Sequence, residues 1–358
     1  MSRRLPQAWL ERGLLARLLW PLSQLYRAAE ASRRALYRLG WLRVERLPVP
    51  VIMVGNVVAG GAGKTPLVMA LVAHLQARGW QPGVISRGHG RSGSACLEVL
   101  PTLNAAQCGD EPLLIAQRTS APVFVAARRV QAARALLNAH PGVDIIVADD
   151  GLQHHALRRD LNIAVFDERG TGNGWLLPAG ALREPWPRQR PVDVHDPVAA
   201  IDLVVHTSEP APKGALLCRR RLADHAEAAD GSRRPLAQLR GQALQAWAGI
   251  AKPEQFFSML RQAGLILSHT RSWPDHHAYT AGDLQGLDGQ TVLITEKDAV
   301  KLMPLAAAMG QPGGPPGPSL LAVPLLVEPE AAFFDALDAR LRTWRAHPLP
   351  SQHGHTTS

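Results

Sequence analysis

The segment GGAGKT, at positions 60–65, has residue types that can bind the phosphates of a nucleotide. In such loops, backbone N–H groups of a glycine turn at a helix N-terminus hold the polyphosphate, the lysine reaches the β- and γ-phosphates, and the hydroxyl ligates Mg²⁺. The first glycine of the usual pattern is absent, because Val58 stands five residues before Gly63. The predicted nucleotide-binding loop comprises Val58, Ala59, Gly60, Gly61, Ala62, Gly63, Lys64 and Thr65.

A pair of aspartates, Asp149 and Asp150, ends the apolar segment VDIIVADD at positions 143–150. If that segment is a buried strand, both carboxylates stand at its carboxyl end, where ligands bind in open α/β sheets. One aspartate can then hold Mg²⁺, directly or through water, while the other positions water or a partner side chain. A simpler interpretation makes one of them a turn residue beside Gly151, but it leaves the second aspartate unexplained.

Five short segments also bring charged or imidazole side chains into turn-like contexts. Taken singly, each is more often a surface turn or a hydrogen-bonded network than a catalytic group, and Asp110 and Glu111 also suit the first turn of a helix. His276 and His277 lack further ligands at metal-site spacing. The segments are GDEP (109–112), GLQHH (151–155), LREP (182–185), PDHH (274–277) and TEKDAVK (295–301).

The elements around the glycine loop have the order that a phosphate site needs. VPVIMVG, at 49–55, is predicted to form a buried strand, and PLVMALVAHLQARG, at 66–79, a helix that ends at Gly79. A predicted helix at 128–140 is interleaved with further strands, at 82–86, 122–126, 143–150, 161–167 and 201–207. This alternation predicts an α/β fold with a doubly wound, mostly parallel sheet like that of P-loop NTPases.

The chain is predicted to contain two α/β domains and a separate N-terminal helix. Residues 208–240 are polar, basic and proline-containing, which favours a connection between domains. A second α/β pattern follows, with strands at 244–250, 291–298 and 320–327. The expected division is an amphipathic helix in 1–46, a phosphate-loop domain in 47–240, and a smaller α/β domain in 241–358 with a mobile loop at 312–318 and a disordered tail at 351–358.

The N-terminal segment 1–46 is strongly basic, with ten arginines against three glutamates in a chain of net charge +9. Leucines recur there at helical spacing, with three tryptophans alongside. A basic amphipathic helix of this kind is typical of an anchor at an anionic membrane surface, and the alternative is a terminal helix packed on its domain. Nucleic-acid binding is not predicted, because no recognition helix or aromatic-rich strand accompanies the charge.

Other features narrow the class of protein. No run of about 18 apolar residues predicts a membrane-spanning helix, and the start lacks a secretory cleavage site. The three cysteines, Cys96, Cys108 and Cys218, include no closely spaced pair. This spacing argues against a disulfide framework or a zinc site and favours a reducing compartment. The composition is that of a soluble or peripheral globular protein.

Eight motifs follow one another along the chain. They are GNVVAGGAGKTP, SRGHGR, GDEP, DDGLQH, GNGWLLPAGALREP, AGIAKPEQFF, DHH and TEKDAVK. In this order they resemble the motifs of the tetraacyldisaccharide 4'-kinases of lipid A biosynthesis, over about residues 10 to 345. Val58 in place of glycine is usual in that family. Two departures are small, since His89 stands where tyrosine is common and PGGPPGP, at 312–318, looks like a local insertion.

The resemblance implies transfer of a phosphoryl group from ATP to the 4'-hydroxyl of an acylated glucosamine disaccharide 1-phosphate, giving lipid IVA at the cytoplasmic face of the bacterial inner membrane. By similarity, Asp110 is the base that accepts the hydroxyl proton, and His276 tunes it across a domain cleft. Whether His276 or His277 faces Asp110 stays open. Lys64 is expected to stabilise charge on the transferred group. The resemblance also implies nucleotide or acceptor contacts for Gln153, His154, Arg183 and Glu184, and Mg²⁺ contacts for Thr65, Asp149, Asp150 and Glu111.

Two other classes stay open at this point. A membrane-associated partition or scaffolding ATPase also uses a GGxGKT loop and an amphipathic helix, but in that class a lysine precedes the glycine pair, where this chain has Ala59. Such ATPases also have no need of an LREP segment or an Asp–His pair. A nucleotide-binding regulatory module without transfer activity is the third class, and full function of Asp110→Ala would favour it.

Overall fold

A computed structural model describes residues 7–61, 63–187, 200–287, 289–309 and 318–346. The chain divides into two compact units, and neither is one continuous segment. The first unit takes the chain up to residue 87, from 121 to 219 and from 329 onwards, and the second takes 88–120 and 220–328. Three predictions fall on positions outside the described residues, namely those for Ala62, for 312–317 of the proline-rich loop and for the tail at 351–358.

The described strands and helices alternate along most of the chain. The strands are β1 (Val51–Gly55), β2 (Pro82–Ser86), β3 (Leu97–Glu98), β4 (Val123–Val125), β5 (Ile145–Asp149), β6 (Leu161–Phe166), β7 (Leu203–His206), β8 (Leu216–Leu222), β9 (His225–Glu227), β10 (Arg233–Pro235), β11 (Ala243–Ala248), β12 (Ile266–Ser272), β13 (Thr291–Thr295), β14 (Ser319–Val323) and β15 (Leu325–Pro329). The helices are α1 (Leu14–Arg38), α2 (Lys64–Ala77), α3 (Ala105–Cys108), α4 (Asp110–Arg118), α5 (Arg129–Ala139), α6 (Pro253–Gln262), α7 (Glu296–Met309) and α8 (Ala331–Ala346). Short 3-10 helices form at Leu236–Leu239 and Ala281–Leu284.

The sheet of the first unit is parallel. Its strands lie side by side in the order β8-β7-β6-β1-β5-β2-β4, and every neighbouring pair is parallel. All residues of β1, β2, β5 and β6 are buried, which explains why these segments are nearly continuous apolar runs. Helices α2 and α5 pack against the sheet. The predicted doubly wound, mostly parallel sheet is confirmed.

Helix α1 packs on the first unit with one of its faces. Ala16, Ser23 and Glu30, which are seven residues apart, are buried. The Ser23 hydroxyl donates to the carbonyl of Leu176 over 2.8 Å and accepts from the backbone N–H of Ala179 over 3.0 Å. The alternative of a terminal helix packed on its domain therefore describes this face.

The opposite face of α1 is apolar and exposed. Leu14, Leu18 and Leu25, which we call the leucine face, are 77%, 68% and 68% exposed. At about 100° per residue they lie within about 40° of one another and on the far side of the helix from Ser23. Among the helices of the described segments, none has both the length and the apolar composition needed to cross a membrane.

The second unit contains a smaller mixed sheet, in the order β10-β9-β14-β13-β11-β12. Strands β11 to β14 pair in parallel, whereas β9 and β10 are antiparallel. Phe256, Phe257 and Leu260 of α6 share a buried core with Leu244 of β11 and Leu293 of β13. The predicted smaller α/β element of the fold is therefore present.

The two units differ from the continuous division at residue 240 that the sequence predicts. Residues 88–120 belong to the second unit, because α4 packs against α7 and Arg118 Nε lies 2.7 Å from the carboxylate of Glu296. Helix α8 belongs to the first unit, where Asp338 pairs with His74 of α2 at 2.8 Å. Both differences arise from contacts between segments that are far apart in sequence.

Two segments form structure that the sequence does not predict. Residues 208–240, expected as a connection, contain β8 to β10, because exposed Arg219 and Arg221 alternate with more buried residues along β8. Residues 296–298, expected to end a strand, instead begin α7. The Thr295 hydroxyl accepts from the backbone N–H of Asp298 over 3.1 Å, and its proton goes to the Asp298 carboxylate over 2.6 Å. This capping of the helix start explains the change from strand to helix.

Candidate active site

The phosphate loop joins β1 to α2 in the first unit. Gly60 and Gly63 have φ values of 96° and 78°, a left-handed region that side chains disfavour, so glycine is needed at both positions. Lys64 is the first residue of α2, so the loop stands at the positive end of the helix dipole. Val58, at the position of the absent glycine, forms an antiparallel bridge with Leu182. A bridged residue has extended backbone, which any side chain can adopt.

The aspartate pair stands at the same edge of the sheet as this loop. Strands β1 and β5 are parallel neighbours, with Val54 opposite Asp149. Asp149 is buried, and Asp150 has a φ of 48°, a strained backbone of the kind that clusters at functional sites. The buried Arg129 guanidinium donates to the carbonyls of Asp149 and Asp150 over 3.1 and 2.6 Å. Arg129 therefore holds this turn in place.

Two cations face the Asp150 carboxylate. Lys64 Nζ lies 3.4 Å and Arg183 Nη1 3.3 Å from its Oδ1 atom. Burial acts to raise the pKa of Asp150, but the charges of Lys64 and Arg183 outweigh burial and hold the pKa below its usual value. The structure thus brings three predicted site residues together as one charged cluster.

Gln153 and Glu184 connect the segment between β1 and the phosphate loop to helix α1. Gln153 Nε2 donates to the carbonyl of Asn56 over 3.2 Å and to the Glu184 carboxylate over 3.3 Å. The buried Glu184 also pairs with Arg34 of α1 at 3.0 Å. Their contacts join three chain segments.

Two arginines of the first unit contact the site but are not predicted as site residues from the sequence. One is Arg129, described above, and the other is Arg169, which pairs with buried Asp167 at 2.8 Å. Arg169 also donates to the carbonyls of Ala59 and Gly61 in the phosphate loop. Both arginines follow the carboxyl end of a predicted strand, and that position is the only sequence signal that marks them.

A second charged cluster lies in the second unit. Asp110, the first residue of α4, is 4% exposed, and His276 Nδ1 lies 3.0 Å from both of its carboxylate oxygens. His276 has a φ of 61°, so its backbone is strained as well. The two residues predicted as a pair are therefore in contact, but within one compact unit and not across a domain cleft, because 88–120 belongs to the same unit as 220–328.

Two lysines of α7 complete the second cluster. Lys301 Nζ lies 3.3 Å from Asp110 Oδ2 and donates to the carbonyl of His277 over 3.1 Å. Lys297 Nζ lies 3.1 Å from Glu111 Oε1 and 3.3 Å from His276 Nε2. Both lysines of the TEKDAVK motif therefore lie close to Asp110. The turn predicted for this motif does not indicate that position.

The electrostatics of this cluster keep the Asp110 carboxylate ionised. Burial acts to raise the pKa of Asp110, but the hydrogen bond from His276 and the charges of Lys297 and Lys301 outweigh burial and hold the pKa well below its usual range. The same hydrogen bond raises the pKa of His276, and the charge of Lys297 opposes that rise. A buried, ionised carboxylate in contact with an imidazole can accept a proton from a bound hydroxyl.

His277 points away from this carboxylate. Its ring stacks on Trp273 at 5.8 Å and meets Tyr279 edge-on at 4.9 Å between centroids. Its Nε2 atom lies 3.8 Å from Asp283. Of the two adjacent histidines, His276 is therefore the one whose side chain faces Asp110.

The start of α7 is fixed by the buried Asp298. Its carboxylate accepts from the Tyr279 hydroxyl over 2.9 Å, from the Thr295 hydroxyl over 2.6 Å and from the backbone N–H of Gly249 over 3.0 Å. A carboxylate that accepts several hydrogen bonds is well suited to burial. Asp298 thereby sets the position from which the α7 lysines extend.

Sequence and structure comparisons identify the family to which these clusters belong. The family model for tetraacyldisaccharide-1-P 4'-kinase matches residues 15–342. The chain belongs to the tetraacyldisaccharide 4'-kinase family. It is 58% identical to the tetraacyldisaccharide 4'-kinase of Polaromonas sp. (strain JS666 / ATCC BAA-500), over 98% of this chain and all of the relative. It is 56% identical to that of Polaromonas naphthalenivorans (strain CJ2), with both chains covered in full.

A solved structure with the same fold supports this membership. It is LpxK from Aquifex aeolicus in complex with ATP, which is 29% identical, covers 92% of this chain and 99% of its own, and superposes with a TM-score of 0.74. The predicted family, fold class and enzyme class are confirmed. Membership of a kinase family replaces the partition-ATPase and regulatory-module alternatives.

The candidate Mg²⁺ ligands of this kinase divide between the two units. Thr65, Asp149 and Asp150 belong to the first unit, whereas Glu111 belongs to the second and pairs with Lys297. In the part of the chain that the structure describes, no three His, Cys, Asp or Glu side chains are grouped as metal ligands. A metal held chiefly by phosphate and water needs fewer protein ligands than that.

The protonation of His154 gives a first test. Burial, aided by the charge of Arg129, lowers the pKa of His154 from 6.5 to about 4. Between these pH values the unfolded chain binds a proton that the folded protein does not, so the free energy of unfolding should fall as pH is lowered from 6.5 to 4. We expect His154→Gln to lose less stability than wild type between these pH values, as measured by urea unfolding. Equal losses would contradict the assignment of a partly buried, neutral His154.

Proposed function

We propose that the protein transfers the γ-phosphate of ATP to the 4'-hydroxyl of a tetraacyldisaccharide 1-phosphate, forming lipid IVA. The observation that carries this proposal is the buried Asp110 carboxylate, kept ionised by His276 and two lysines. A sugar hydroxyl is a weak nucleophile, so a carboxylate that accepts its proton as the new bond forms lowers the barrier. Phosphoryl transfer has a loose transition state, so the position of the base matters more than its strength, and a lowered pKa is compatible with this role.

The first unit is the proposed binding site for ATP. Gly60 and Gly63 give the loop the backbone freedom to turn its N–H groups towards phosphate, and the loop precedes the N-terminus of α2. Lys64 and Arg183, which face Asp150 in this structure, are the cations that would neutralise the transferred phosphoryl group. The ATP complex of the Aquifex aeolicus relative supports this part of the proposal.

Mg²⁺ is the proposed metal, and the chemistry of the donors in the first unit fits it. Thr65 lies in the first turn of α2 and Asp149 at the end of the neighbouring β5, so a hydroxyl and a carboxylate oxygen, both hard ligands, follow adjacent strands. When bound, the metal would neutralise negative charge on the phosphates. Asp150 is proposed to position Lys64 and Arg183 through its ion pairs with them. Glu111 is not among the proposed Mg²⁺ ligands, because its carboxylate pairs with Lys297.

The role of Asp110 can be tested by removing its charge without changing its shape. Asp110→Asn should lower kcat by about 10² to 10⁴-fold, the usual contribution of a positioned base. The KM for ATP should stay within about twofold, because the proposed nucleotide residues belong to the other unit. The assay is transfer of label from γ-labelled ATP to the disaccharide 1-phosphate.

A matched control makes the same chemical change elsewhere. Asp335→Asn alters an exposed carboxylate on α8 and should keep wild-type rates. If Asp110→Asn transferred label as fast as this control, Asp110 would not be the base.

The membrane surface is the proposed partner of α1. The leucine face is apolar and exposed, and the segment 1–46 has seven more positive than negative charges, since ten arginines oppose three glutamates. An apolar stripe with basic neighbours binds an interface that contains anionic lipid. A substrate with four acyl chains stays in the bilayer, so we propose that the enzyme works at the cytoplasmic face of the inner membrane.

Point substitutions test this better than deletion of the helix. The Tyr26 hydroxyl donates to the carbonyl of Arg183 over 2.8 Å, and Arg34 pairs with Glu184, so removal of α1 would also disturb the phosphate-loop region. Replacing Leu14, Leu18 and Leu25 by Ser should lower binding to vesicles with anionic phospholipid at least about tenfold, because each buried leucine contributes roughly 1.5 to 3 kcal/mol.

The control replaces exposed apolar residues outside α1. Leu100, Ile266 and Leu326 are also exposed, and their Ser variants should bind vesicles like wild type. Co-sedimentation measures both triple variants. Equal loss in the two variants, or none in either, would show that the leucine face does not bind the membrane.

A further inference from the structure

The imidazole of His276 is held from both sides. Its Nδ1 atom lies 3.0 Å from the Asp110 carboxylate, and its Nε2 atom lies 3.3 Å from Lys297 Nζ. The residue is in the left-handed backbone region, with a φ of 61°, so its local backbone does not by itself favour this orientation. Contacts from α7 therefore contribute to fixing the ring.

Lys297 has three acceptors for its three ammonium protons. They are Glu111 Oε1 at 3.1 Å, Asp275 Oδ1 at 3.0 Å and His276 Nε2 at 3.3 Å. An ammonium group can only donate. The contact with Nε2 is a hydrogen bond only when that nitrogen carries no proton, so a neutral imidazole must then carry its proton on Nδ1. In that tautomer the proton points at Asp110.

Lys297 also stays charged in this position. Burial acts to lower the pKa of its ammonium, but Glu111, Asp110 and Asp275 outweigh burial and raise the pKa above its usual value. The side chain remains an obligate donor through the neutral pH range. A neutral amine could accept a proton from Nε2 and would leave the tautomer undefined.

We propose that Lys297 is a positioning residue that fixes the neutral tautomer of His276 with the proton on Nδ1, where it is donated to Asp110. The inference rests on the proposed role of Asp110 for its effect on catalysis, but the tautomer itself can be observed without any reaction. Lys301, four residues further along the same face of α7, contacts Asp110 directly and does not reach Nε2 in the described contacts. The two lysines therefore have separate functions.

Nitrogen NMR of the histidine side chains measures the tautomer directly. Protein labelled with ¹⁵N in histidine is titrated and observed above the pH at which the His276 signals stop changing, because the hydrogen bond to Asp110 raises the pKa of His276. The His276 signals are assigned by their loss in His276→Gln. In wild type we expect a protonated Nδ1 and an unprotonated Nε2. In Lys297→Met we expect a population with the proton on Nε2, whereas Lys297→Arg, which also only donates, should keep more of the wild-type tautomer.

Kinetics provide the second measurement. Lys297→Met should lower kcat roughly 10- to 100-fold, the range found for groups that orient a functional histidine, with the KM for ATP within about twofold of wild type. The control Lys213→Met removes an exposed lysine and should change neither the tautomer nor kcat.

The outcomes separate this inference from the proposed function. An unchanged tautomer in folded Lys297→Met would overturn the inference even if kcat fell, because the lysine would then act in another way. If Lys297→Met does not fold, the wild-type spectrum decides, since a neutral His276 with its proton on Nε2 overturns the inference. Full activity of Asp110→Asn would instead overturn the role of Asp110 and leave the tautomer result standing.

Discussion

A buried carboxylate needs a cation or several hydrogen-bond donors, because a charge left uncompensated in a protein interior costs several kcal/mol. Asp110 shows this constraint most clearly, since His276 and Lys301 both contact its oxygens. Asp298 meets the same need with two hydroxyls and a backbone N–H. The position of α7, which carries the lysines, follows from these two carboxylates.

The same constraint organises the first unit. The buried Glu184 carboxylate pairs with Arg34 of α1 and accepts a hydrogen bond from Gln153, which lies in the turn after β5. One carboxylate thus joins the N-terminal helix to the phosphate-loop region. Helix α1 is therefore part of the folded unit on one face, while its leucine face remains exposed. The two alternatives for this segment, a helix packed on its domain and a helix at a membrane surface, are compatible, because they involve opposite faces of one helix.

Much of the fold could be predicted because its signals are local. Strand β1, the glycine loop and α2 follow from an apolar run, glycines that allow positive φ, and helical spacing within 31 residues, 49–79. The sequence does not indicate that residues 88–120 belong to the second unit, because contacts such as that of Arg118 with Glu296 join residues far apart in sequence. The start of α7 was misplaced because Thr295 and Asp298 cap a helix directly after β-branched strand residues.

The candidate site divides in the same way. The candidate roles of Lys64, Asp150 and Asp110 could be predicted from their residue types and their positions in motifs. The pairing of Asp110 with His276 could be predicted from the resemblance to the kinase family. The contacts of Arg129, Arg169 and Lys297 depend on tertiary structure, and an arginine or lysine in the sequence has many possible partners. Cations that bind backbone carbonyls or side chains far away in the sequence are therefore the site residues hardest to find from sequence.

We conclude that the protein couples ATP cleavage to phosphorylation of one hydroxyl. The most direct measurement follows ADP and the disaccharide product together by ³¹P NMR, with purified protein, ATP, Mg²⁺ and the tetraacyldisaccharide 1-phosphate in mixed micelles. We expect one new phosphate monoester on the 4'-oxygen for each ADP formed. ADP release without a phosphorylated disaccharide, or a diphosphate at position 1, would contradict it.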